Sequence, residues 1–175
     1  MKKEYIIFGL IVLAILTRLI PHPPNFAPIT GIALFSAINF NNQFLKFFVP
    51  LFSLLIFDFI IGFSLINIFV YLSFIIIVFI GNHFKKIKLK SILLSSIVFF
   101  IISNFGVWLI GYPKTINGIL MCYAVAIPFF INTILGDLFY SYILKYTFSM
   151  SLKLSIIRTN RYALVYQSIA FHNQY

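Results

Sequence analysis

Long apolar runs separated by short polar breaks dominate this chain. Six can be marked, at residues 5–20, 26–40, 44–63, 68–80, 91–110 and 119–144. An α-helix rises about 1.5 Å per residue and bilayer hydrocarbon is about 30 Å thick, so about 20 apolar residues cross it. The first, third, fifth and sixth runs reach or approach that length. The second and fourth are too short for a plain crossing. They must lie where the bilayer is thin, recruit interfacial residues, or be broken helices packed inside the protein. The pattern predicts an all-α polytopic membrane protein, a bundle of six transmembrane helices over residues 1–147 followed by a cytoplasmic or interfacial tail over 148–175. The tail stretch "LKLSIIRTNRYALVYQSIAF" is too interrupted by charge for a seventh span and suits a helix lying in the interface.

Composition points the same way. The 175 residues are 62% hydrophobic and 9% charged, with a mean hydropathy of +1.05, whereas soluble domains carry about 25% charged residues. The start "MKKEYIIFGLIVLAILTRLI" resembles a signal peptide, but Arg18 and a proline cluster stand where a small-residue cleavage site belongs, so it is expected to remain as the first span. Cys122 is the only cysteine, which excludes an internal disulfide and a zinc-type cysteine cluster.

A formal net charge of +10 would suggest a nucleic-acid partner in a soluble protein. Its placement says otherwise. With six spans, Lys2, Lys3, Lys46, the four lysines of residues 82–90 and the four basic residues after 144 share one side, and only Arg18 and Lys114 fall towards the other. Basic loops stay cytoplasmic, so both termini are expected there, and the partner is the lipid bilayer rather than nucleic acid. The segment "NHFKKIKLK" serves as a topological anchor, or as a contact for anionic head groups or an acidic partner.

Polar groups inside the apolar runs are costly and must be satisfied. Of the three acidic residues, Asp58 and Asp137 lie within spans. Counting helix rise from Lys46 and Lys3, Asp58 and Arg18 stand about 18 Å and about 22 Å above the basic side, close enough in height for an intramembrane charge pair. That pair staples two helices or contacts an ion or solute. Asp137 has no evident cationic partner, leaving Asn132, a tyrosine hydroxyl, the backbone or a proton to satisfy it. "PLFSLLIFD" and "PFFINTILGD" each set a proline about two turns before these aspartates, a faint echo that chance also explains.

The break "RLIPHPPNFAPITG" must end the first helix, because Pro21, Pro23 and Pro24 donate no backbone hydrogen bond and push their predecessors towards extended geometry. Asn25 suits an N-cap for the next helix. His22 has no companion ligands at metal spacing, so no metal is expected. In the fifth run Asn104, Trp108 and Gly111 recur at i, i+4 and i+7 on one helix face. Trp108 there is an interfacial anchor or, with Asn104, a ligand shelf. Both the proline loop and the turn "GYPKT" are expected on the side opposite the lysines, so His22, Asn25, Asn104 and Trp108 are the candidate substrate-binding residues. No nucleotide-binding loop, nucleophile elbow, zinc-protease motif or carboxylate pair is present, so no catalytic residues, cofactor or enzyme activity are expected.

The stretches "PHPPNFAPITGIALFSA", "SNFGVWLIGYPKT" and "CYAVAIPFFINTILGDLFYSYIL" resemble a family of small bacterial integral membrane proteins over residues 18–144. That family in turn resembles, in size and six-span layout, the substrate-binding S components of energy-coupling factor transporters. The resemblance implies the bacterial cytoplasmic (inner) membrane, a vitamin-like small-molecule ligand held beneath the loop between spans one and two, and partner ATPase and coupling transmembrane subunits. The chain lacks the N-terminal histidine motif of the cobalt-type S components. The alternative is a non-transporting scaffold or assembly protein that works through its basic cytoplasmic face.

Overall fold

The computed structural model describes the backbone of residues 3–19, 21 and 23–172, and of these the backbone alone at 3, 4, 18, 19, 152, 154–156 and 158–172. Among the described residues the fold is all-α, with six helices in chain order: α1 (Lys3–Leu19), α2 (Ile29–Asn39), α3 (Gln43–Ile61), α4 (Ile66–Phe84), α5 (Leu89–Gly111) and α6 (Ile116–His172). Four of them, α3, α4, α5 and the Ile116–Ser151 part of α6, are long and apolar enough to cross a membrane. This is a membrane-protein architecture.

The short second run is the centre of the molecule. Every residue of α2 from Ile29 to Ala37 is buried. The helix packs against all five others. Eleven residues rise only about 16 Å, so α2 is about half as long as bilayer hydrocarbon is thick. Small side chains let its neighbours close in. A Cβ on Gly81 of α4 would come 2.6 Å from that of Ala37, and one on Gly31 would come 3.0 Å from the backbone nitrogen of Ser141 on α6. Ile32, Leu34, Leu54, Phe74, Ile77 and Ile92 are fully buried around this contact. α1 packs along α3 and touches α2.

The fourth run differs from its expected length. The apolar pattern ends at residue 80, yet α4 continues through Gly81, Asn82 and His83 to Phe84. Gly81 is needed for the approach to α2, and Asn82 accepts a hydrogen bond from Lys46 Nζ at 2.7 Å. Lys85 then ends the helix in a left-handed conformation (φ 54°). Ser91 opens α5 by accepting from Lys88 N–H at 3.0 Å. Asn42 caps α3, its side chain accepting from Phe44 N–H at 2.8 Å.

The last helix has no break at 147–148 and runs on to His172. Its apolar part, 36 residues, is about 54 Å long and exceeds the hydrocarbon thickness. Its far end must therefore leave the bilayer.

Candidate functional site

Two turns end the bundle on one side, residues 62–65 and 112–115. Residues 40–42 and 85–88 end it on the other, where Lys46, Lys85, Lys86, Lys88 and Lys145 gather. The segment before α2 enters from the first of these ends. Phe26 N–H bonds Pro23 O at 3.0 Å and Ala27 N–H bonds Asn25 O at 3.1 Å, making a tight turn. Asn25 takes φ 65° in that turn, a conformation asparagine tolerates better than most residues. It is not the N-cap the sequence suggested. Pro28 occupies that place, with no side-chain cap bond, because its fixed φ already suits the start of a helix.

The chain passes from the exposed turn at 23–25 to buried Ala27 and Pro28. A Cβ on Gly136 would lie 3.0 Å from Phe26 Cα and 3.1 Å from Ala27 N, so any side chain there would push this backbone off α6 by a few tenths of an ångström. The Phe26 ring packs on Phe139 and Tyr140, at centroid distances of 5.7 and 5.6 Å. Gly136 is nine residues before Lys145, about 13 Å along the helix. The segment leading into α2 is thus a turn whose proline end is exposed and whose last residues, Ala27 and Pro28, are buried.

Beneath that turn lies a cavity of about 200 Å³ between α4, α5 and α6, with Asn25 and Asn104 both in its wall. Ser103 and Thr133 add hydroxyls, while Phe99, Phe100, Phe129 and Phe130 supply most of the apolar wall. Phe100 and Phe130 stack at 4.4 Å. Asn104 Nδ2 donates to Phe100 O at 2.8 Å, which orients the amide and leaves its oxygen as an acceptor. A smaller space adjoins the cavity. Asn25, Phe99 and Thr133 border both, and Asp137, Thr30 and Phe74 line the inner one.

Asp137 is 2% exposed. Ser96 on α5 donates to its Oδ2 at 2.7 Å, and Thr30, the second residue of α2, also bonds the carboxyl. These are not the Asn132 or tyrosine partners the sequence suggested. Asp137 therefore lies beside the first turn of α2, the end at which a helix carries about half a positive charge. Thr133, four residues earlier on the same face of α6, was a readable signal. Ser96 was not, since one serine among many in an apolar helix has no pattern to mark it.

The other candidates lie elsewhere. Trp108 is at the end of α5, its Nε1 donating to Pro113 O at 3.1 Å, its ring packed on Phe105 and facing Lys114 Nζ at 5.2 Å. Lys114 donates to the carbonyls of Trp108, Leu109 and Tyr112, a cation on the exposed C-terminal oxygens of a helix. Trp108 thus secures a turn and is not among the residues lining the cavity. Asp58 accepts from Tyr71 Oη at 2.5 Å. Its expected partner Arg18 lies in α1, but the Arg18 side chain is outside the described residues, as is His22 altogether.

Three larger concavities are of other kinds, one of them an open surface hollow of about 490 Å³ along Phe139, Tyr142 and Tyr146 of α6. Another of about 630 Å³ runs along Phe44, Phe47, Phe48, Phe52 and Tyr71. It is an open aromatic groove between α3 and α4, suited to acyl chains. The third, about 360 Å³, lies at the basic end, with Lys85, Lys86, Lys88 and Lys145 around Phe35, Ile38 and Phe148.

Residues 1–158 match a family described as a family of unknown function, DUF6580. The chain belongs to the DUF6580 family. The match covers the α1–α6 bundle and runs past residue 148 into the last stretch of α6. No curated protein and no solved structure matches the chain.

Proposed function

We propose that this DUF6580 protein is a membrane-embedded binding subunit for a small solute, working in the bacterial cytoplasmic membrane with both termini in the cytoplasm. The observation that carries this reading is the cavity bordered by Asn25 and Asn104. It has the composition of a ligand site, with apolar and aromatic walls and a few polar groups to set orientation. Its position beneath the loop joining the first two helices suits the layout of the energy-coupling factor S components, in which transport would use a partner ATPase and coupling subunit; without such partners it would use an ion gradient, coupled at Asp58 or Asp137. The volume, about 200 Å³, falls below the range of about 300–1,000 Å³ for drug-sized ligands. The solute is accordingly smaller than most vitamins. A scaffold acting through its cytoplasmic face is the second reading, and the lysine-rimmed groove at the basic end is what supports it.

The test is a thermal-shift screen of purified protein against small polar and apolar solutes. A ligand at 100 times its Kd stabilises by about 2.7 kcal/mol, a readily measured rise in midpoint. Asn104→Ala should reduce the rise, and Trp108→Ala should leave it intact. A screen in which no solute shifts the midpoint would leave the scaffold reading.

A further inference from the structure

The cavity carries a chemical preference as well as a shape. Of the described residues around it and its inner extension, Asp137 alone is ionisable. No Lys, Arg or His stands in either wall, and no charged side chain among the described residues acts on Asp137. The hydrogen bonds it receives, from Ser96 and Thr30, are from neutral hydroxyls. A cation brought to Asp137 favours the ionised carboxylate, whose full charge exceeds the about half unit of opposing charge at the start of α2. The sum is negative, so an anionic solute is repelled and a cationic one is drawn in. Phe74, Phe99 and Thr133 edge the inner space, and Phe100, Phe129 and Phe130 line the outer one. Aromatic faces add attraction for a desolvated cation and at the same time accept an apolar body.

Resting on the binding-subunit reading, we infer that the solute is a small organic cation, an amine with an apolar body, whose charged group is held at Asp137 while its body lies against the phenylalanine walls between Asn25 and Asn104. The hydroxyl oxygens of Thr30 and Thr133, in the wall of the same inner space, then lie beside the amine. Desolvating a cation so deeply is costly without a counter-charge, and Asp137 supplies one.

The experiment compares three probes of one skeleton on the full chain in nanodiscs of neutral lipid: 2-phenylethylamine, 2-phenylethanol and 3-phenylpropionate. Affinity is read by thermal shift and by equilibrium dialysis. The amine is expected to bind at least about tenfold tighter than the alcohol, a difference of about 1.4 kcal/mol, with the carboxylate weakest. In Asp137→Asn the amine and the alcohol should bind alike. If that variant does not fold, the order of the three probes on the unaltered chain decides. Alcohol binding as tightly as the amine overturns the cation assignment and leaves the binding site standing. A response to sodium or potassium ions with none to the amine also overturns it, in favour of an inorganic ion. No binding by any of these, at concentrations that saturate nonspecific partition, removes the site itself.

Discussion

Asp58 shows how a single buried polar group shapes this molecule. It is 9% exposed within an apolar helix, and Tyr71 on α4 holds it across the helix gap at 2.5 Å. Removing that hydroxyl strands a buried oxygen, and Tyr71→Phe should cost roughly 1–3 kcal/mol, seen as a lower thermal midpoint. The expected Arg18–Asp58 pair has its own signature. Either residue changed alone to an apolar one should destabilise by about 3–5 kcal/mol, and the double change should recover much of it. Strict additivity in that double-mutant cycle would show that the two side chains do not interact. Asp58 could be suspected of needing a partner from sequence alone. Tyr71 could not be named, because nothing local in α4 distinguishes one tyrosine from the chain's ten.

At the scale of elements, the short α2 is held by close approaches that only small residues permit. Gly136 has Phe26 and Ala27 backbone against it at 3.0–3.2 Å from an added Cβ. Backbone cannot swing aside as a side-chain tip can, so Gly136→Val should destabilise by about 1–3 kcal/mol and reduce ligand response by displacing the turn that carries Asn25. Gly9 has nothing within 4 Å of an added Cβ. Gly9→Ala, inside α1, is therefore the control, expected to cost nothing and to stabilise by up to about 1 kcal/mol. The end of α1 and the brevity of α2 were readable in the prolines and the run lengths. The seating of Phe26 against Gly136 was not, since those residues are 110 positions apart and meet only in three dimensions.

For the whole molecule, the lysines at 85–88 and the turn at 112–115 lie at opposite ends of α5, so the proposed orientation is directly testable. With Cys122 changed to serine, single cysteines at Lys88 and Lys114 should label from opposite sides of intact cells. Lys114 also caps α5 through three carbonyls, so Ser64→Cys, in the exposed turn at the same end, repeats the measurement without disturbing that cap. Labelling of both ends from one side would contradict the six-span orientation.

Lipid solubility is a sum over residues, and charge at a membrane surface is a property of position along the chain. Both are written in one dimension. The apolar runs, the gathering of lysines and the break at the prolines follow from that, and the all-helical fold with them. The order of helices around α2, the partners of Asp137 and the cavity under Asn25 depend on how each helix is rotated and how deep it sits. A helix that is apolar on every side carries no stripe to announce its inward face. Only close packing, glycine against backbone and hydroxyl against carboxyl, selects the rotation that brings these residues together.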